Sequence, residues 1–572
     1  MILQALADYY DRRCALDAGA LPRPGWERKR LPFIVEITRE GRFVQIVDTR
    51  VPDGKRLLAA EFPVPKAVVR TSGVAANLLW DNVEYALGIS AAGRAKRMSD
   101  PHEAFVAAIR GRFGDKPADA GVAALLEFLA ELPVDRLQLD PLWAEMTAAN
   151  PFISFRLAGE ARLICECDLP PDPAEEAPAR VCLVLGTRAP IARLHSPLKG
   201  VRGANTSGAS LVSFNLPAFE SYGHEQGANA PVSADAAFKY TTALNSLLAS
   251  DSRQKAWLGD STFVFWAESQ RGELVEQGVA DLFSGPALDD PDKQSAGIKA
   301  VLKALSDGSW TAIPDGAGRF FVLGLAPNAG RVAVRTWTVA TAEEIAIRLR
   351  DHFADIAIEQ PSFKREHPPL YWLLRSVALQ GKAENIPPSL QGELAYAILT
   401  GRPYPISLLA AALRRSCAEG DVTPERAALI KAVVNRYRRA SGEAREELSV
   451  SLDTANADPA YRLGRLFAAL ERAQETASPG LNATIRDRYY GAASSTPITV
   501  FPRLLDLKNH HIAKIDSPNT RAWLERLIGE IVDGIPRIPA HLSLIQQGDF
   551  AIGYYHQRQD FFRKRTSEGE SN

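Results

Sequence analysis

The chain has 572 residues and carries 67 Lys+Arg against 68 Asp+Glu, a formal net charge of −1. That length exceeds one compact core, so two or three domains are expected, and the even balance excludes a histone-like polycation, leaving any nucleic-acid contact to local patches. The cysteines Cys14, Cys165, Cys167, Cys182 and Cys417 are odd in number and dispersed, which excludes a disulfide scaffold and points to a reducing, cytoplasmic compartment.

The opening MILQALADYYDRRC lacks a basic n-region ahead of an apolar block, and the spacing of Ile2, Leu3, Leu6 and Tyr9 predicts an amphipathic helix rather than a signal peptide. FIVEI and FVQIVD flank Glu40-Gly41 and predict a hairpin, after which NLLWDNVEYALG returns to helical spacing. Further strands are predicted at ISFRL, ARLICEC and VCLVLG. RFFVLGLAP and RVAVRTWT form another hairpin around Asn328-Ala329-Gly330, and strands stop near Thr338. From Thr341 the apolar residues recur at helical spacing. The polar, proline-bearing stretch 359–368 reads as a linker, and the segments from PLYWLLRSVAL to RAWLERLIGEIVDG, parted by short Gly, Pro, Ser or Asp connections, read as a helical bundle. The expected fold is α+β: a mixed strand and helix domain over 1–358, of one or two subdomains, a linker over 359–368 and an all-α bundle over 369–572. From residue 366 onward 26 Lys+Arg face 23 Asp+Glu, a slightly basic half behind a slightly acidic one. No apolar run reaches the roughly 18 residues that a membrane-spanning helix needs.

Missing motifs narrow the chemistry. There is no GxxxxGK[ST], HExxH, GxSxG or CxxC, and Asp351-His352 runs in the wrong order for a metal-phosphohydrolase pair. Cys165 and Cys167, two apart on a predicted strand with Cys182 and His195 further along, match small core residues better than a zinc site, so no metal or other cofactor is expected. His224 and Glu225 beside Ser221 and Tyr222 hold titratable chemistry, but adjacent loop residues seldom converge, which favours binding over catalysis. His510-His511 reads as bundle surface.

Three stretches fit nucleic acid. In KAVVRTSGVAANLLWDN, the residues Lys66, Arg70, Thr71, Ser72 and Asn77 surround Gly73 with charge, hydroxyls and backbone N–H suited to phosphate; a capped turn ahead of Trp80 explains them equally well. Between Pro197 and Ala249, glycines at 200, 203, 208, 223 and 227 permit close backbone approach, Asn205, Gln226 and Asn229 each offer donor and acceptor, Lys199 and Arg202 suit phosphates, and Phe219 and Tyr222 suit bases. The alternative is an ordered loop packed on a Ser233-capped helix. In the helical half, Arg414, Arg415, Arg426, Lys431, Arg436, Arg438, Arg439, Arg462, Arg465, Arg486 and Arg488 fit a face tracking a single strand, with Tyr489 and Tyr490 as stacking platforms; interspersed Glu residues also permit an ordinary solvated surface.

MILQALADYYDRR, RTSGVAANLLWDN, SGASLVSFNLPAFESYGHEQGANAPVSADAAFKYTTALN, GDSTFVFWAE and NATIRDRYYGAASSTPITVFPRLL together resemble the large subunit of type I-C CRISPR Cascade complexes over nearly the whole chain. The resemblance implies a non-catalytic subunit working beside CRISPR RNA-bearing backbone subunits. It would recognise a protospacer-adjacent motif, TTC-like in the family, from the minor groove of double-stranded DNA, promote R-loop formation, border the displaced non-target strand with its helical bundle, and help recruit a helicase-nuclease. On that basis Asn205, Tyr222, Gln226, Gly227 and Asn229 would read the motif; Lys66, Arg70, Thr71, Ser72, Asn77, Lys199 and Arg202 would hold phosphates; and Arg414, Arg415, Arg436, Arg438, Arg439, Arg486 and Arg488 would face the displaced strand. The family also makes a small subunit from the same gene by internal translation. With methionines only at 1, 98 and 146, such a product here needs a non-Met start codon beyond the break. Two rivals remain: a nuclease built on His224 and Glu225, and a passive scaffold that never reads DNA.

Overall fold

A computed structural model describes residues 1–17, 19–54, 56–68, 73–89, 99–170, 179–285, 295–312, 318–361, 366–442 and 446–563. The fold is α+β, and it divides into two compact units: Met1–Ser196 with Val212–Leu244, and Pro197–Leu211 with Asn245–Asn572.

The first unit is built on a four-stranded mixed sheet, in the order Phe43–Asp48, Phe33–Ile37, Phe152–Leu157, Trp80–Asn82. Phe33–Ile37 pairs antiparallel with Phe43–Asp48 and parallel with Phe152–Leu157. All five residues of Phe33–Ile37 are buried, including Glu36, whose carboxylate takes Arg156 at 2.8 Å. The predicted hairpin turn is a forced glycine: Gly41 has φ +72°, and a Cβ there would stand 2.8 Å from the Ala124 carbonyl oxygen. Ser99–Phe113 and Ala120–Glu131 contribute Phe105, Ile109, Leu125 and Phe128 to the core around Phe155. The N-terminal helix Ile2–Leu16 sets Tyr10 edge-on to Phe238.

Three local expectations shift. NLLWDNVEYALG is half strand, because Trp80–Asn82 pairs with Phe152–Ser154 before the Asn82-capped helix Val83–Leu87 begins. ARLICEC is no strand; its centre is the 3₁₀ turn Ile164–Glu166. VCLVLG is strand only at its start, where Ala179–Val181 pairs with Arg188–Pro190. Cys165 and Cys167 are buried in the core, and burial pushes their thiols up to about 12 and about 11, the behaviour of inert core residues.

The second unit holds an antiparallel sheet, Lys255–Leu258, Ser261–Ala267, Arg319–Asn328 and Arg331–Thr341, in chain order. The predicted hairpin turns through Ala329-Gly330, and Ala329 takes φ +51°. One face, with Phe263, Phe265, Phe320 and Val322, packs on Gln270–Leu282, Ala296–Ser306 and Ala342–Ile356. From there the core runs without a break into the C-terminal helices. The division expected at 359–368 is therefore not where the compact units part. Ile358 is buried, Glu359 N–H donates to Val450 C=O (2.8 Å), and Tyr555 O–H donates to Glu359 C=O (2.7 Å), so the polar stretch begins on the bundle surface. The innermost helices, Pro459–Ala477 and Leu544–Phe562, touch backbone to backbone. Positions Gly464 and Gly553 allow it, since a Cβ at either would lie 2.0 Å from the other helix's carbonyl oxygen.

Candidate nucleic-acid interface

The glycine-rich loop is shared between the two units. In the second unit, Leu198 and Ala209 exchange backbone hydrogen bonds of 2.8 and 2.9 Å, closing the intervening residues into a compact loop. Asn245 fastens it, accepting from Lys199 N–H (2.8 Å) and donating to Pro197 C=O (3.2 Å), while Thr262 Oγ1 accepts from Arg202 N–H (3.0 Å). Gly200 has φ +87°, and a Cβ there would meet the Leu248 carbonyl oxygen at 2.4 Å, so this glycine serves packing within the protein. With the backbone anchored, the side chains of Lys199, Arg202 and Asn205 stand exposed and have no hydrogen-bond or ion-pair partner among the described residues. Cationic and amide groups fixed at the root and free at the tip suit phosphate and base-edge contact.

In the first unit, His224 N–H donates to Ser221 C=O (2.9 Å), and the two residues between them, Tyr222 (φ +54°) and Gly223 (φ +69°), are both left-handed. That is the mirror-image turn in which Asn-Gly is at ease and tyrosine is not. An L-residue held left-handed costs about 1–2 kcal/mol, and Tyr222 recovers none of it by packing, because it is 98% exposed. Gln226 repeats the pattern at φ +46°. Its Oε1 accepts from the exposed Arg193 guanidinium (3.0 Å), which fixes the amide and leaves no second partner for it among the described residues. Two strained side chains presented within five residues are what a contact surface stores.

Two expected readers make contacts within the protein. The Asn229 carboxamide donates to His224 C=O (2.9 Å) and Gln226 C=O (3.0 Å) and accepts from Ser221 N–H (2.9 Å), so both its donors are committed within the loop and its oxygen keeps one lone pair. Gly227 is buried; its N–H donates to Arg193 C=O, and a Cβ would lie 2.1 Å from the Ala192 carbonyl oxygen, so its glycine character lets the loop lie on the 191–195 segment. Ser233 caps the following helix as expected, accepting from Ala236 N–H at 3.2 Å. Next to the loop, His195 Nδ1 and the Tyr240 hydroxyl share a hydrogen bond (2.6 Å). Burial, with the nearby Lys66 charge, pushes this imidazole down to about 4, so it is neutral at physiological pH. Lys66, itself exposed, lies near enough to His195 for its charge to be felt there.

Of the remaining phosphate set, Arg70, Thr71 and Ser72 lie outside the described residues. Asn77 is buried: its oxygen accepts from Val68 N–H (2.9 Å) and its own N–H donates to Asp81 (2.8 Å), which makes it a turn-former withdrawn from solvent.

The helical arginines divide sharply. Arg436 is buried with Asp355 (2.6 Å), Arg439 pairs with Asp355 and Glu447, and Arg438 is buried with Nη2 2.8 Å from both oxygens of Asp549. Arg486 faces the buried Glu471 at 3.6 Å, a carboxylate that also takes Tyr554 O–H and Arg558. Arg415 leans on Glu419 one turn later (3.7 Å). Arg436 and Arg438 are internal cement: burying a cation requires a paired anion, and sequence spacing does not reveal an acid contributed from another helix. Arg415 and Arg486 are half-buried and Arg439 is exposed, each with an acidic partner close by. Tyr490 is likewise no stacking platform; it is buried against Phe467, Phe550 and Tyr554. Arg414 and Arg488 are exposed and without an ion-pair partner among the described residues. On the helix Phe501–Ala513 and its cap, the cations Arg503 and Lys514, with His510 between them, fall at spacings of seven and four, hence on one exposed face about 16 Å long, with Asp506 the only acid of that helix. That spacing is legible in RLLDLKNHHIAK.

The two units thus present separate exposed cationic and amide surfaces, and the helical half a third. No curated protein matches the chain. Residues 6–562 match the family model described as CRISPR-associated protein (Cas_Csd1), and on that match, spanning nearly the whole chain, the protein belongs to the Cas_Csd1 family of CRISPR-associated proteins.

Proposed function

We propose that this protein is the large subunit of a type I-C Cascade complex, acting without turnover of its own. It recognises the protospacer-adjacent motif in double-stranded DNA, promotes R-loop formation beside CRISPR RNA-bearing subunits, and helps recruit a helicase-nuclease. The observation that carries this reading is Tyr222, a large aromatic held fully exposed on a left-handed turn next to the Arg193-fixed amide of Gln226. An aromatic in that setting wedges a base step, and a single fixed amide senses the minor-groove acceptors A N3 and T O2 while meeting guanine's N2 group unfavourably. Lys199, Arg202 and Lys66 act on phosphates, and Asn205 offers a second amide. Arg414, Arg488, Arg503 and Lys514 are the cations available to a displaced strand, replacing the buried Arg436 and Arg438.

The test is equilibrium binding of the reconstituted complex to duplexes that differ only at the adjacent triplet. Tyr222→Ala should weaken binding to the preferred duplex at least tenfold and bring it close to that of altered duplexes. If both wild type and Tyr222→Ala bind all triplets alike, the passive-scaffold reading replaces this one.

A further inference from the structure

Asn229 satisfies three backbone groups of one short loop, at Ser221, His224 and Gln226, with a single carboxamide. Those groups bracket the two left-handed non-glycine residues, Tyr222 and Gln226. The ring of Tyr222 makes no compensating contact, and Gly227 can follow only because the loop rests directly on the 192–193 backbone. Without the carboxamide, Ser221 N–H and the two carbonyls would turn to water, leaving the turn's own His224 N–H to Ser221 C=O bond to hold Tyr222 in a conformation that tyrosine disfavours. We infer that Asn229 is a positioning residue: it clasps the 221–226 tip and preorganises Tyr222 and Gln226 for DNA, without touching DNA itself. This rests on the proposed reading of the tip as a DNA contact. The clasp tolerates little change. Aspartate keeps the acceptor for Ser221 N–H but sets a carboxylate against two carbonyl oxygens, and glutamine moves the amide a methylene too far.

The experiment uses the full-length protein, alone and within the reconstituted complex. Hydrogen exchange at residues 221–226 is measured for wild type, Asn229→Ala, Asn229→Asp and Tyr222→Asn, alongside affinity for a duplex bearing the preferred triplet. Asn229→Ala and Asn229→Asp should speed exchange in the tip at least tenfold while the rest of the first unit keeps its protection. Tyr222→Asn, which suits the left-handed turn, should slow exchange in the tip. In binding, Asn229→Ala should cost as much as Tyr222→Ala, and the double variant no more than either single one, because both remove the same presented ring. Unchanged exchange in Asn229→Ala overturns the inference, and if affinity falls nonetheless, Asn229 is a direct contact. Faster exchange with affinity unaltered in both Asn229→Ala and Tyr222→Ala overturns the DNA reading of the tip, and with it the positioning role, while identifying the clasp as purely architectural.

Discussion

Arg438 and Asp549 are both buried, and their separation in sequence, over a hundred residues, hides the pair from any local pattern. A guanidinium in the core is stable only while its carboxylate is present. Asp549→Ala or Arg438→Ala should each destabilise the second unit by about 3–5 kcal/mol in chemical denaturation, whereas Arg438→Met with Asp549→Leu should recover most of that loss. Neither outcome concerns DNA, which separates these residues from Arg488 and Arg414, whose side chains face water. At the same scale, Asn77, Asn229 and Gly227 show how one residue type serves two ends. Amide and glycine both suit a ligand surface and a tight turn, and only the positions of neighbouring carbonyls and N–H groups decide between them.

Elements were legible where burial is one-sided. The N-terminal helix, both predicted hairpins and the succession of C-terminal helices follow from apolar spacing and turn residues, since an amphipathic segment has little choice of face. NLLWDNVEYALG and ARLICEC were misread because short apolar runs fit strand, helix or buried turn, and the partner strand Phe152–Leu157 arrives only much later in the chain. The Phe501–Ala513 helix carries its cations outward at helical period. In a titration of the complex with single-stranded DNA, Arg503→Gln and Lys514→Gln should each lower affinity evenly across sequences and shallow the log–log salt dependence by about 0.7. A slope unchanged in the double variant would remove this helix from the nucleic-acid surface.

Across the whole molecule, three imidazoles, those of His352 and His556 buried and that of His195 half-buried, share one arrangement. His195, His352 and His556 each share a hydrogen bond at Nδ1 with a tyrosine hydroxyl, of Tyr240, Tyr404 and Tyr461, at 2.6, 2.6 and 2.9 Å. Burial pushes them down to about 4, about 3 and about 4. Each titrates near 6.5 when unfolded, so the unfolded chain binds more protons below that pH. Stability from these groups is fully present above pH 6.5 and is lost as pH falls toward the folded values, by roughly 3 kcal/mol per histidine at pH 4. Thermal unfolding between pH 7 and 4 should therefore show a steep acid-side decline. His352→Gln, which keeps a hydrogen-bonding partner for Tyr404 without a titrating ring, should flatten it; an unchanged decline would mean that other groups set the acid limit.

By itself the sequence determined the α+β class, the helical character of the second half, the family and the neighbourhood of the tip, because these depend on periodicity, turn chemistry and long unusual motifs that a chain carries locally. Only the tertiary structure decided where the compact units part, which arginines are paired and which are free, and that the Asn229 carboxamide bonds three backbone groups of its own loop. Those outcomes depend on which acid, carbonyl or N–H arrives from a distant part of the chain, and for a buried polar group that partner is the whole of its energetics.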